Sequence, residues 1–153
     1  MKLLLTRELG RLCKWLRILG FDAAYFKEDN KSSLVIQALR EGRIILTRNQ
    51  RLPQGRGLKI AVLKAEKLKE QIAEISSIFK IRPDADKMFT RCIICNEELT
   101  SIEKEKVKDK VPDYVFKTQQ EFLACPKCQR IYWQGTHWGN VTQTLREING
   151  IHS

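Results

Sequence analysis

Residues 43–51 read RIILTRNQR. An apolar, β-branched run, Ile44-Ile45-Leu46, gives way to Thr47, Arg48, Asn49 and Gln50, as a buried strand does on surfacing. In α/β proteins the surfacing ends of the strands carry the chemistry. Here that end offers a hydroxyl, a guanidinium and two amides, and no carboxylate. The run therefore points to a fold class and leaves open what kind of site stands at its end.

The flanking sequence supports a sheet built from such strands. KLLLT, 2–6, reads as a short buried strand, and a helix is expected over 7–19 with Gly20 closing it. On a 3.6-residue wheel Leu9, Leu12, Cys13, Leu16 and Leu19 share one face. Arg7, Arg11 and Lys14 share the opposite face, with Trp15 at its border and Arg17 on the other flank. DAAYF, 22–26, is a second strand. Ser32 or Ser33 can cap a helix that runs to about Arg40 and stops at Gly42. RIILT, 43–47, is the third strand, and LKIAVLK, 58–64, the fourth, after the loop PQGRG. An amphipathic helix is expected over 66–80 with Leu68, Ile72, Ile75 and Phe79 inward. Strands alternating with helices predict an α/β fold, a parallel sheet with right-handed crossovers flanked by helices. IRPDAD, 81–86, reads as a linker, so the chain divides into an α/β domain, 1–86, and a smaller one, 87–153. IEKEKVKDKV, 102–111, is expected to be an exposed strand or loop, and Thr142 to Ile148 a short helix.

In a parallel sheet all carboxyl ends lie on one edge. That edge would gather Arg7, Lys27, Lys31, Arg48 and Arg51 against Glu8, Glu28 and Asp29, a balance suited to phosphate. Asp22 begins its strand and belongs at the opposite edge.

Charge agrees. Residues 1–90 hold 19 Lys and Arg against 10 Asp and Glu, and residues 91–153 hold 9 against 8, so nearly all of the net +10 sits in the first part. Such a field attracts polyanions, of which nucleic acid is the commonest. The plainer alternative is a basic domain that is merely well solvated. At 153 residues and 42 % hydrophobic the chain can bury a real core. Its start, MKLLLTRELGR, has three consecutive leucines, too few for a signal-peptide core or a membrane span, so the expectation is a cytoplasmic protein with no membrane association. Five cysteines there do not imply a disulfide framework.

Four of those cysteines form two C-x-x-C pairs, Cys92/Cys95 and Cys125/Cys128, with 29 residues between them. Two intervening residues let a tight turn aim both thiolates at one tetrahedral ion, and the wide gap can hold two strands, as in a zinc ribbon. Zn2+ on four thiolates is expected, and redox use is the rival. Four thiolates leave no open position for substrate, so the role is structural. After the second pair comes RIYWQGTHWGN, 130–140, in which Trp133, His137 and Trp138 can stack on unpaired bases or equally pack the ribbon.

LGRLCKWLRILGFDAAY, LREGRIILTRN, RCIICNEEL and YWQGTHW, in this order, resemble the Mut-seven C-terminal ribonuclease domain, over nearly the whole chain. The resemblance implies a PIN-like α/β domain joined to a zinc ribbon and a metal-dependent ribonuclease. Carboxylates at the strand ends would hold Mg2+ or Mn2+. In the family pattern an aspartate closes the first strand and another follows LTR of the third. This chain has Thr6 and Asn49 there, with Glu28 or Asp29 near the middle acidic position and Glu8 two residues beyond the first strand. The nuclease reading thus rests on Glu8, Asp29, Glu28, Asn49 and Thr6. Arg7, Arg11, Lys14, Arg17, Arg48, Arg51, Trp133, His137 and Trp138 are its candidate RNA contacts. Two other readings stand beside it: an RNA-binding protein with weak or no catalysis on the nuclease scaffold, and a protein-interaction module built on the zinc ribbon.

Overall fold

The structure, a computed structural model, describes residues 1–52, 55 and 57–133. His137, Trp138 and the helix expected at Thr142 to Ile148 lie outside the described residues. The first part contains β1 (Lys2–Leu5), a 3-10 turn (Arg7–Leu9), α1 (Gly10–Ile18), β2 (Asp22–Tyr25), α2 (Lys31–Glu41), β3 (Ile44–Thr47), β4 (Ile60–Val62) and α3 (Leu68–Phe79). Its strands form one parallel sheet in the order β2-β1-β3-β4.

Alternation of side chains along each strand divides the core into two layers. Leu3 and Leu5 of β1 and Leu46 of β3 pack with Leu9, Leu12 and Leu16 of the α1 segment and Ile72 and Ile75 of α3. Leu4 of β1 and Ile45 of β3 point the other way, onto Leu34 and Ala38 of α2. The sheet is thus covered on both faces, which is why its strands read as unbroken apolar runs. Leu68 and Phe79 of α3 pack partly buried against the first layer.

Two local features differ from the sequence reading. Asn30, not Ser32 or Ser33, caps α2: its Oδ1 accepts the Ser33 amide at 3.1 Å. Asn and Ser cap comparably well, so composition could not choose between them. Segment 81–86, read as a linker, is anchored at its start. Ile81 packs on the first core layer, as do Met88 and Phe89 beyond the segment, and the Phe89 amide donates to Ile18 O at 2.9 Å. Gly20, at φ +92°, lies against this crossing; a Cβ there would stand 2.1 Å from Lys87 O.

The second part has β5 (Thr100–Ile102), a 3-10 turn (Lys104–Val107), α4 (Asp113–Thr118), β6 (Phe122–Ala124) and β7 (Ile131–Tyr132), with an antiparallel sheet ordered β5-β6-β7. The charged run 102–111 is not simply exposed. Val107 and Val111 lie buried with Val115 of α4 and Phe122 of β6. The four-residue spacing of these three valines is helical, a signal that the surrounding Lys and Glu mask. Among the described residues no helix is long and apolar enough to cross a membrane.

Candidate functional sites

At the carboxyl edge of β1 and β3 the chain builds a compact oxygen cluster. β1 ends at Leu5, and the 3-10 turn Arg7–Leu9 swings Glu8 back over the strand ends. Glu8 Oε1 accepts from Thr6 Oγ1 at 2.5 Å, Thr47 Oγ1 at 3.2 Å and the Arg48 amide at 3.0 Å. Thr47 is fully buried; its hydroxyl oxygen also accepts the Asn49 amide at 3.0 Å and lies 3.0 Å from the Thr6 hydroxyl. Partial burial pushes the Glu8 pKa up, but the hydrogen bonds from Thr6, the Arg48 amide and Thr47 outweigh it and hold the carboxyl below its ordinary 4.5. Glu8 is therefore a carboxylate fixed in place, not a freely solvated side chain.

The other candidates at this edge are placed differently. Asp29 pairs with Arg7 at 2.7 Å, both side chains largely exposed. Tyr25 Oη donates to Arg7 O at 2.6 Å, bracing the turn. Glu28 lines a hollow of about 430 Å³ with Lys27, Ser33, Gln37 and Arg40, whose lining does not include Glu8. Asn49 turns its Oδ1 to the Arg51 amide at 2.9 Å, and Arg48 lies 3.7 Å from Glu66. The edge thus brings Thr6, Glu8, Thr47 and the backbone amide of Asn49 together, and Arg7, Arg48 and Arg51 are exposed. Thr47 is the member that sequence reasoning did not single out; its place as the last residue of a buried strand was the available signal.

The second site is the cysteine cluster, built by two copies of one turn. The amides of Cys95 and Cys128 each point at the sulfur of the first cysteine of their pair at 3.4 Å. The next residues, Asn96 and Gln129, have φ of 64° and 68°, and their amides return to Cys92 O and Cys125 O at 2.9 Å. The Cys92 and Cys125 amides in turn donate to Glu97 O at 2.8 Å and Arg130 O at 2.9 Å. The four sulfurs lie within 4.8 Å of one another, with Cys92 Sγ and Cys128 Sγ 3.7 Å apart. Thiolates about 2.3 Å from one tetrahedral zinc stand about 3.8 Å apart, so the four cysteines can hold a zinc ion. Tyr132 Oη lies 3.1 Å from Cys92 Sγ and can donate to it. Among the described residues this is the one cluster of three or more His, Cys, Asp or Glu ligand atoms.

The first cysteine turn docks on the edge strand β2. Asn96 spans the junction: its Oδ1 accepts the Ala23 amide at 3.1 Å and its Nδ2 donates to Asp22 Oδ1 at 2.6 Å. Arg43 Nη1 reaches the same Asp22 oxygen at 2.7 Å, and its Nε reaches Glu41 at 2.6 Å. Partial burial pushes the Asp22 pKa up, but hydrogen bonds from Arg43 and Asn96 and the charge of Arg43 hold it below the ordinary value. Arg17 is committed here too, through Nε to Ala23 O at 2.8 Å and Nη1 to Ile93 O at 2.9 Å and Ile94 O at 3.1 Å. The candidate RNA contact on that flank of α1 is thus a clamp between α1 and the cysteine turn. The sequence pattern of α1 could not show this, because two of its three carbonyl partners lie 76 and 77 residues away. Arg11 and Lys14 remain on the exposed face, and Trp133 is half-buried against the valine cluster of the second part.

Searches of curated proteins and of solved structures return no match. A family model does match, the Mut7-C RNAse domain, over residues 1–145. An α/β sheet and a four-cysteine turn pair, joined in this order and matched together along almost the whole length, place the chain in the Mut7-C RNAse domain family.

Proposed function

We propose that the protein is a ribonuclease whose phosphodiester chemistry runs at the carboxyl edge of β1 and β3. The observation that carries this is Glu8: an ionised carboxylate pinned by two threonine hydroxyls and a backbone amide, with the exposed residues Arg7, Arg48 and Arg51 on the same edge loops. The donor set fits a divalent cation only in one form. Magnesium is bound through one or two carboxylates together with substrate phosphates, and here one carboxylate stands with the hydroxyl oxygens of Thr6 and Thr47, while Asn49 Oδ1 is turned to the Arg51 amide. Glu8 would hold Mg2+ or Mn2+ with the phosphate oxygens of the RNA completing the shell. A cation so bound polarises the phosphate and lowers the pKa of its water. The arginines offset phosphate charge and orient the strand. Thr6 and Thr47 fix the carboxylate so that little reorganisation accompanies binding. Asp29 acts at one remove, by holding Arg7. For the cysteines we infer structural zinc, since four thiolates leave no position for substrate.

A second reading, RNA binding without cleavage, is favoured by the single carboxylate in the cluster. Incubating purified protein with single-stranded and hairpin RNA, with magnesium, with manganese or with neither, separates the two. Cleavage is expected with metal and should fall at least about 100-fold in Glu8→Gln, while Asp29→Asn should fall less. Salt-sensitive binding with no cleavage under any metal would establish the second reading instead.

A further inference from the structure

We propose that the cleft between α1 and the zinc ribbon binds single-stranded RNA and delivers it along α1 to the edge site. This rests on the ribonuclease reading for the nature of the ligand and adds a second site. The cleft holds about 1300 Å³ and runs between the outer face of α1 and strands of the ribbon. Trp15 and Phe89 line its α/β side, Tyr132 and Trp133 its ribbon side. Arg11 and Lys14, exposed on the face of α1 opposite its buried leucines, form the basic rim. Aromatic walls beside a cationic rail are what unpaired nucleotides need: bases stack, phosphates track the charge. A duplex has its bases already stacked and offers these rings nothing. On the ribbon wall Glu103 and Glu121 stand beside Arg91 and Lys104, so charge there is balanced, and the unopposed positive charge of Arg11 and Lys14 should draw the phosphate backbone against α1. Direction follows from helix geometry. Arg11 and Lys14 lie about one turn apart, and Arg11 stands in the first turn of α1, directly after the 3-10 turn Arg7–Leu9 that carries Glu8.

The test is fluorescence anisotropy of a labelled 12-nucleotide oligouridine, in the Glu8→Gln background, without added magnesium or manganese, at two salt concentrations. Binding is expected for the single strand and should be much weaker for a duplex of the same length. The exposed double variant Arg11→Glu/Lys14→Glu should bind at least about tenfold more weakly and with a salt slope shallower by about 1.4, two single-strand phosphate contacts. Trp15→Ala should lose at least about fivefold, the lower end for one lost base–aromatic stack. Lys59→Glu/Lys67→Glu, which changes net charge equally away from the cleft, should lose less. Trp15 also packs on the core, so the surface double variant decides if Trp15→Ala fails to fold. Equal losses in the two double variants, equal binding of duplex and single strand, or no binding would overturn the proposal; the last would leave the cleft to a protein partner. Because the readout is binding, absent cleavage would defeat the ribonuclease reading and leave this one standing. Cleavage with an indifferent cleft would do the reverse.

Discussion

The two sheets of this molecule are held by different physics. The parallel sheet is a wall of leucine and isoleucine, with Leu3, Leu4, Leu5, Ile45 and Leu46 at 0 % exposure and helices on both faces. The ribbon sheet has strands of two or three residues and a buried cluster of three valines and one phenylalanine. So little apolar surface does not offset the entropy of ordering such a segment. What replaces the missing core is the cysteine cluster. The candidate sites divide the same way: the sheet with the large core presents an oxygen cluster on its rim, and the sheet with the small core stands beside four cysteines that can hold a zinc ion.

The largest effect should come from the metal. Native protein should carry about one zinc per chain. Chelation, or Cys92→Ser with Cys125→Ser, should remove on the order of 10 kcal/mol from the ribbon. Residues 1–80 should keep their helical signal while the ribbon becomes protease-sensitive. A chelated chain as protease-resistant as the native one would break the comparison.

Next comes the apolar core. Leu5→Ala should lower global unfolding free energy by about 2–5 kcal/mol, read by denaturant titration. Unlike chelation, it should lower the stability of the α/β part without changing zinc content.

The junction sharpens the contrast further. Asn96→Ala leaves the buried Ala23 amide and Asp22 without their partner and should cost about 1–3 kcal/mol. It should also separate thermal unfolding into two steps. Asn96→Gly keeps the left-handed conformation and loses the hydrogen bonds; if it unfolds like the native chain, Asn96 serves the turn and not the junction.

The smallest effect is an acid limb. The folded pKa of Asp22 lies below its ordinary 3.8, so its stabilisation is fully present above that value and is lost as pH falls through the folded one. Stability should hold from neutral pH to about 4 and decline below it, less steeply in Asp22→Asn. An unchanged acid limb would show that Asp22 bears no charge-dependent share of the junction.

Much of this was legible in residue order. Alternation of apolar strands with amphipathic helices sufficed for the parallel sheet and its edge, and Leu12, Cys13 and Leu16 were buried as the wheel of α1 required. The cysteine spacing sufficed for a turn that can hold zinc. These are properties of local periodicity and covalent reach, set by residues close in sequence. Residue order also shows at once that the ends of β1 and β3 carry Thr6 and Asn49 and no carboxylate, with Glu8 two residues beyond β1 as the nearest acidic group.

Tertiary structure alone decided the rest. Glu8 faces the oxygen cluster because a 3-10 turn folds it over β3, forty residues away, and a first-turn glutamate looks the same in sequence whether it does so or not. Arg17 and Arg11 belong to one basic helix, yet one clamps a cysteine turn and the other stays exposed. Val107 and Val111 are buried in a run that reads as solvent-facing. Each outcome turns on which distant backbone group a side chain meets, and hydrogen bonds and packing across long loops leave no periodic trace in the chain.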